Sequence, residues 1–241
     1  MKAIVQDRYG TVDALELREI DRPQVGDDEV LVRVHAAGVD PGVWHLMTGL
    51  PYLIRIAGYG FRAPKSPVRG NDLAGRVEAV GKDVKQFEVG DEVFGTADGT
   101  FAEYVSAKAT NLAPKPANLS FEQAAAVPTS ALTALQGLRD HGEAQPGQRV
   151  LIIGASGGIG TFAVQLAKAF GTEATGVCST TKVDMVRSLG ADHVIDYQRD
   201  DFTTMAQRYD LILDMAGNRS LSRLRRALTH SGTLVIIGGE E

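Results

Sequence analysis

Residues 150–160 read VLIIGASGGIG, an apolar run followed by a segment that contains four glycines. Over residues 162–170, apolar side chains then recur at helical spacing. A strand, a glycine turn and a helix in this order predict a βαβ unit that binds a dinucleotide, because glycine permits a sharp turn and close approach of the backbone to a pyrophosphate. Gly157 and Gly160 occupy the last two positions of the usual glycine pattern, but Ala155 holds the first. A turn that serves packing alone therefore stays open as an alternative.

The second strand of this unit, residues 174–178, indicates which cofactor is held. In NAD-binding proteins an acidic side chain at the end of this strand binds the ribose 2′-hydroxyl. Here Ser179 and Lys182 follow instead, and their hydroxyl and ammonium groups suit a 2′-phosphate. The sequence therefore predicts NADPH. Asp184 keeps NADH open, and Lys182 taken alone is also an ordinary exposed lysine at a helix start.

Two periodicities divide the chain near residues 113–117, where two prolines favour an extended connection. Residues 1–117 contain short strands separated by glycines, which predicts a β-barrel-like domain. Residues 118–241 alternate helices with short apolar runs, which predicts a parallel sheet and an α/β fold class. The predicted strands are 1–5, 29–35, 73–80, 92–94, 101–105, 149–153, 174–178, 209–214 and 233–237. One helix, capped by Ser120 and Gln123, is predicted to run to Leu138, and a kink at Pro128 stays open.

The composition indicates an ordinary globular protein and excludes several classes of partner. A net charge of -5 argues against nucleic acid, because phosphate binding needs a basic surface. No apolar run reaches the roughly 18–20 residues that span a bilayer, and the amino terminus lacks a signal sequence, so we expect no membrane insertion. The single cysteine, Cys178, excludes an internal disulfide and fits a reducing compartment. We expect a cytoplasmic protein.

Further motifs occur in a specific order: NDLAGRVEAVG at 71–81, GDEVFG at 90–95, GTFAEYV at 99–105 and LGAD at 189–192. Together with the glycine turn they resemble the medium-chain dehydrogenase/reductase superfamily, in particular its zinc-free quinone oxidoreductase, or zeta-crystallin-like, branch. The resemblance covers nearly the whole chain. It implies a GroES-like catalytic and substrate domain at 1–117 and a Rossmann NADPH-binding domain at 118–241.

The resemblance also implies that the chain binds no zinc. Zinc-dependent relatives carry a cysteine near the position of Asp40 and a His-Glu pair at the position of Asn71 and Asp72. Neither is present, and no cysteine cluster exists for a structural zinc. A metal site built from His35, His45, Asp40 and Asp72 stays open as the weaker alternative.

In this family the resemblance implies an NADPH-dependent, zinc-independent oxidoreductase that transfers hydride to a small quinone or an α,β-unsaturated carbonyl. Tyr52 matches a tyrosine of the substrate cleft and is the candidate catalytic hydrogen-bond donor, although a packing role is equally open. Trp44 falls in the same cleft. The implied cofactor contacts are Asp40 and Thr133 near the nicotinamide, Ser156, Gly157, Gly158 and Ile159 at the pyrophosphate, Ser179, Lys182 and Tyr197 at the adenosine, and Asn218, Gly238 and Gly239 on strand-end loops.

Two other readings compete with this one: a non-catalytic NADPH-binding sensor or structural protein, and an NAD(P)-dependent alcohol dehydrogenase. The chain stops at Glu241, whereas relatives continue with the rest of the Rossmann sheet and a dimer-forming edge strand. We therefore expect a truncated Rossmann domain, or one completed by another subunit, and a homodimer stays open.

Two groups of basic residues complete the pattern. Residues 41–71 contain no acid but four cations, together with many apolar side chains, and either form a lid over the substrate cleft or a solvated loop. Arg219 belongs to a second group, with Arg223, Arg225 and Arg226, that is expected on the exposed face of one helix.

Overall fold

The computed structural model describes residues 1–238, and the chain divides into two compact units, Met1–Thr129 and Ser130–Glu241. Strands and helices are numbered separately along the chain. The first part of the chain contains β1 Lys2–Val5, β2 Glu16–Glu19, β3 Glu29–Ala37, α1 Pro41–Thr48, β4 Asp72–Val80, β5 Glu92–Thr96, β6 Tyr104–Lys108, β7 Leu112–Pro114, α2 Phe121–Ala125 and α3 Pro128–Leu135. The second contains β8 Arg149–Ile153, α4 Gly158–Ala169, β9 Glu173–Cys178, α5 Val183–Ser188, β10 His193–Asp196, β11 Tyr209–Asp214, α6 Leu221–Ala227 and β12 Leu228–Ile236.

The first unit is built on a five-stranded antiparallel sheet in the order β6-β3-β4-β5-β7, with β1 and β2 paired separately. Its core contains Val30 and Val32 of β3, Leu73 and Val77 of β4, and Val93 of β5, all of them buried. The short strands predicted for this part thus form an antiparallel sheet, to which the unit adds the helices α1 and α2.

The second unit is built on a five-stranded sheet in the order β10-β9-β8-β11-β12, in which every pair is parallel. Residues Val150 to Ile153 of β8 are buried, as expected for a central strand covered on both faces. The predicted parallel sheet is therefore confirmed. None of the helices within residues 1–238 is long and apolar enough to cross a membrane.

The helix predicted from Ser120 to Leu138 is divided in the structure, and the break lies just before Pro128, where the sequence left a kink open. Helix α2 ends at Ala125 and α3 begins at Pro128, whose missing N–H and bulky ring cannot continue the preceding helix but suit a first helical position. The predicted capping box is confirmed: the Gln123 N–H donates to Ser120 Oγ, and the Ser120 N–H donates to Gln123 Oε1.

Strand boundaries differ from prediction where pairing decides them. The strand predicted at 101–105 lies at Tyr104–Lys108, because this segment pairs with Glu29–Arg33 of β3. Strands β2, β7 and β10 were not predicted, and β12 begins at Leu228, earlier than the predicted 233–237.

A buried carboxylate, Asp72, ties β4 to the start of α3. It is 3% exposed, and it accepts hydrogen bonds from the Thr129 hydroxyl, from the Thr129 N–H at 3.1 Å and from Asn71 Nδ2 at 3.3 Å. Burial raises the pKa of Asp72 above its ordinary value of 3.8; the bonds from Thr129 oppose this, and the charge of Asp40 adds to it. The contact is thus well bonded but costly to ionise.

We expect Asp72→Asn to lower the free energy of unfolding by about 1–3 kcal/mol at mildly acidic pH, because an amide nitrogen cannot accept a bond from Thr129. Since the pKa of Asp72 is raised on folding, its contribution is largest below the ordinary pKa of 3.8 and declines as pH rises through the folded pKa. Urea unfolding of both proteins at a series of pH values measures this difference.

Asp192→Asn is the matched control, with the opposite pH dependence. Burial raises the pKa of Asp192, but hydrogen bonds from Lys168 Nζ and the Ala174 N–H, both at 2.7 Å, lower it further than burial raises it. Its contribution is therefore present above the ordinary pKa of 3.8 and lost as pH falls through the folded pKa. An Asp72→Asn effect that grows with pH would contradict the assignment.

Candidate functional site

The glycine turn joins β8 to α4 by contact between backbones. Gly154 has φ of 86°, a conformation that L-residues with side chains rarely adopt, and the Gly157 N–H donates to its carbonyl oxygen at 3.0 Å. A Cβ on Gly160 would overlap that same oxygen and would lie 2.7 Å from Ala155 Cα. Glycine at 154 and 160 is therefore a requirement of the turn and of helix packing.

Gly157 has no such requirement. Its φ is -82°, and a Cβ there would meet only the Gly154 oxygen, at an ordinary 3.4 Å. Gly157 and Gly158 are exposed, and no side chain caps the first amides of α4. These N–H groups therefore face open space at the positive end of a twelve-residue helix, which is the arrangement that binds a phosphate. The residues present fit the pyrophosphate of a dinucleotide.

A cleft adjoins this turn at the carboxyl ends of β8, β9 and β11. Three residues predicted from the sequence, Ser156, Tyr197 and Asn218, come together on its wall. Its other lining residues are Ile153, Gly154, Val177, Cys178, Phe202, Ala216 and Arg219. Among all of these, Arg219 carries the only charge. The cleft therefore offers apolar walls, uncharged polar groups and one cation.

Arg219 is a functional candidate that the sequence prediction missed, and its expected place on the exposed face of a helix is wrong. It precedes α6 and is half-buried on the cleft wall. The loop that carries it is fixed by the buried Asp214, whose Oδ1 accepts from the N–H groups of Ala216 and Gly217, both at 3.0 Å. Within residues 1–238, the Arg219 guanidinium makes no hydrogen bond or ion pair.

Cys178, the last residue of β9, is one of the residues that line the cleft. Burial raises the pKa of the Cys178 thiol above its ordinary value of 9.0, and the charge of Asp196 adds to this, so the thiol is neutral near pH 7. No acid directly follows this strand end in the sequence, but the structure brings one beside it: Asp196, which pairs with Cys178 across β9 and β10.

Asp196 is engaged within the protein. Its Oδ2 lies 2.6 Å from the Thr180 hydroxyl, which donates to it, and 3.4 Å from Arg199 Nε. The bond from Thr180 holds the pKa of Asp196 below its usual range. Ser179 is half-buried beside this network and Lys182 is exposed, but neither lines the cleft described above.

The residues predicted near the nicotinamide and substrate lie in different surroundings. Asp40 caps α1, where its Oδ1 accepts from the N–H groups of Gly42 at 2.6 Å and Val43 at 3.3 Å. Its Oδ2 is buried and has no hydrogen-bond partner among residues 1–238. Trp44 is exposed on α1, with its ring 5.1 Å from that of His45.

Tyr52 follows α1 and is 68% exposed, with its ring 4.9 Å from the Arg55 guanidinium carbon. Thr133 is half-buried on α3, in the second unit. Ile159 is half-buried in the first turn of α4, and Gly238 follows β12. The predicted contact Gly239 lies outside the described residues.

The side chains considered for a metal site do not come together. His35 stacks on Phe121 with ring centroids 4.3 Å apart, and His45 Nδ1 lies 2.9 Å from the Leu50 carbonyl oxygen. In the described part of the chain, no group of three or more His, Cys, Asp or Glu side chains is placed to hold a metal ion. These donors do not fit zinc, which needs three or four nitrogen, sulfur or carboxylate ligands.

Comparison with known proteins agrees with both units. Residues 26–117 match the family model described as alcohol dehydrogenase GroES-like domain, and residues 158–241 match the one described as zinc-binding dehydrogenase. The predicted combination of a GroES-like domain with a Rossmann-type parallel sheet is thus confirmed.

Individual relatives extend the match along the chain. Identity is 34% to the chloroplastic NADPH-dependent alkenal/one oxidoreductase of Arabidopsis thaliana, over 99% of this chain and 63% of that protein. It is 32% to the quinone oxidoreductase of Homo sapiens, over 99% of this chain and 73% of that protein. The structure of the quinone oxidoreductase from Coxiella burnetii superposes with a TM-score of 0.86 at 32% identity, over 97% of this chain and 74% of that one.

The chain spans 60–63% of the length of the first curated relatives it matches. The similarity extends through both units and includes the glycine turn. The chain therefore belongs to the medium-chain dehydrogenase/reductase superfamily, within its quinone oxidoreductase branch.

Proposed function

We propose that this chain is an oxidoreductase that holds NADPH at the glycine turn and passes hydride to a quinone or an α,β-unsaturated carbonyl, without zinc. The observation that supports this best is the cleft of the second unit, which joins uncapped helix amides to a wall with one cation. The relatives support the substrate class, since one is named an NADPH-dependent alkenal/one oxidoreductase and another a quinone oxidoreductase. In this proposal residues 118–241 hold the cofactor and residues 1–117 the substrate.

When bound, NADPH supplies the hydride. The amides of Gly158 and Ile159 would donate to the pyrophosphate, and the absence of a side chain at Gly157 would let the phosphate approach. Tyr197 and Asn218, which both line the cleft, would contact the adenosine half. These groups bind and orient the cofactor and take no part in the chemical step.

Arg219 is the residue that we assign to a phosphate of the adenosine half. Its guanidinium has five donors, none of them used within residues 1–238, and its planar fork matches two phosphate oxygens at once. Lys182, the candidate from the sequence, is exposed and carries a single mobile ammonium. We therefore expect Arg219 to contribute more than Lys182 to the preference for NADPH over NADH.

The substrate side would rely on hydrogen bonding. Because the donors in residues 1–238 do not fit zinc, another group must polarise the acceptor oxygen, and the Tyr52 hydroxyl makes no hydrogen bond to any of those residues. Quinones and enones suit such a site, because they are electron-poor and spread the charge of an added hydride onto oxygen. Positioning would then supply much of the rate.

The activity itself is tested by mixing the purified chain with NADPH and a panel of quinones and enones, and following the absorbance of the reduced cofactor. We expect faster oxidation of NADPH than of NADH, no effect of a zinc chelator, and a roughly tenfold or greater loss of kcat/KM in Tyr52→Phe with the NADPH affinity unchanged. Binding of NADPH without turnover would favour a non-catalytic sensor. Loss of activity on chelation would favour a zinc enzyme.

Substitutions in the glycine turn separate binding from folding. We expect Gly157→Ala to weaken NADPH binding about tenfold or more, because the methyl group occupies space reserved for the phosphate, while unfolding changes by less than about 1 kcal/mol. Gly160→Ala is the contrast, since its Cβ would overlap the Gly154 oxygen; we expect about 3 kcal/mol of destabilisation. Fluorescence titration and urea unfolding measure the two quantities. Unchanged NADPH affinity in Gly157→Ala would argue against the cradle.

The role of Arg219 is tested with fragments of the cofactor. We expect Arg219→Ala to weaken 2′,5′-ADP roughly 10- to 100-fold, the loss typical of a charge-assisted hydrogen-bond pair, and to change 5′-AMP by less than about threefold if the 2′-phosphate is the partner. Equal losses for both fragments would assign Arg219 to the 5′-phosphate. Arg226→Ala, an exposed arginine on α6, is the matched control. If only Lys182→Ala weakens 2′,5′-ADP, the assignment to Arg219 is wrong.

A further inference from the structure

A separate cavity lies wholly within the first unit, between the segment that follows α1 and the loop between β5 and β6. Its charged side chains come from Lys65 and Arg69, which precede β4, and from Asp98 of that loop. The side chains that form it include Leu46, Tyr59, Lys65, Ser66, Arg69 and Asp98.

Arg69 is the unusual member of this lining, because it is a buried cation without a counter-ion among residues 1–238. It is only 7% exposed. Its guanidinium donates to the carbonyl oxygens of Ser66 and, at 3.5 Å, of Leu46, while Nε has no partner among residues 1–238. No carboxylate in that range lies within ion-pair distance of it.

Burial on this scale is costly for a charged group. Burial lowers the pKa of Arg69, and electrostatic interactions with Tyr9 and Asp98 partly offset the effect, but a guanidinium stays protonated at neutral pH. A buried charge without a partner is retained only where something compensates it. Asp98 is exposed and makes no contact with the guanidinium, so the compensation within the protein is incomplete.

The charged side chains around the cavity indicate that the missing partner of Arg69 is an anion. Residues 41–71 contain no acid. Arg55 is engaged elsewhere, since it donates to the carbonyl oxygens of Gly49 and Thr48 and lies over the ring of Tyr9. The Lys65 ammonium, in contrast, makes no ion pair or hydrogen bond with residues 1–238. The cavity lining thus holds two cations that have no counter-ion among residues 1–238, Lys65 and Arg69, and a single carboxylate, that of Asp98.

We propose that this cavity binds a small oxyanion, a carboxylate or phosphate group, held by Arg69 at its base and by Lys65 at its rim. The Ser66 hydroxyl, which now donates to the Val68 carbonyl oxygen at 3.3 Å, is a third donor on the same wall. The site is independent of the glycine turn and does not rest on the proposed reductase activity.

The test follows backbone amide and arginine Nε–H resonances of the full chain by NMR. Inorganic phosphate and acetate are added in parallel, with chloride as the control at equal ionic strength. We expect saturable shifts at residues 65–70 and 98–99 with phosphate, acetate or both, and the tighter of the two identifies the class of anion. Phosphate bound instead at the glycine turn would shift residues 157–160, so the two sites are read separately.

Substitutions decide whether the two cations form the site. We expect Arg69→Leu to weaken the anion roughly 10- to 100-fold and Lys65→Met about three- to tenfold, in line with the loss of a buried and of an exposed charged donor. Lys85→Met, at an exposed lysine of the same unit, should leave binding unchanged. Because Arg69→Leu removes buried bonds and risks unfolding, Lys65→Met decides the matter if that variant fails to fold.

Two results would overturn the proposal. One is the absence of saturable shifts at residues 65–70 and 98–99, or the same shifts with chloride. The other is unchanged anion affinity in Lys65→Met together with unchanged affinity in any Arg69 variant that folds.

Discussion

The candidate cofactor site depends on one contact between backbones, the approach of Gly160 to the carbonyl oxygen of Gly154. No side chain fits between them, so α4 begins directly against the end of β8. Because the two backbones lie so close, the amides of the first turn of α4 lie at the carboxyl end of β8, where no side chain caps them. Gly157 is then free of packing constraints, since a Cβ there would meet only the Gly154 oxygen at an ordinary distance, whereas a Cβ on Gly158 would lie 3.1 Å from Ser130 Oγ. A single steric constraint thus places the helix and leaves its positive end open.

In the first unit, hydrogen bonds of buried carboxylates hold secondary-structure elements in place, whereas close backbone packing does so in the glycine turn of the second unit. Asp72 is buried at the start of β4 and holds Thr129, so a carboxylate positions α3. One carboxylate oxygen of Asp40 accepts a hydrogen bond at the start of α1, and the other is buried without a hydrogen-bond partner among residues 1–238. Two carboxylates of the first unit, Asp72 and Asp40, therefore make structural hydrogen bonds. The electrostatic cost of burying them falls on the domain that we propose receives the substrate.

The sequence alone predicted the features that local pattern controls. The apolar run at 150–153, the glycines after it and the capping box at Ser120 each depend on neighbours a few residues away, and each is confirmed. The missed features depend on distant parts of the chain. Arg219 lines the cleft because Asp214 folds the intervening loop back. The acid beside Cys178 comes from β10, which is separated from β9 by a helix. Neither the position of Arg219 nor that of Asp196 leaves a periodic pattern in the sequence.

The strand order also has a consequence that no single side chain controls. From β8 the chain adds β9 and β10 on one side of the sheet and then returns to add β11 and β12 on the other. The sheet therefore has a topological switch point between β8 and β11, where the loops that leave the two strands turn to opposite faces and a crevice must open between them. Ser156, which follows β8, and Arg219, which follows β11, both line that crevice because of connectivity. The order of the strands creates the crevice, and the side chains that line it determine only which ligand binds there.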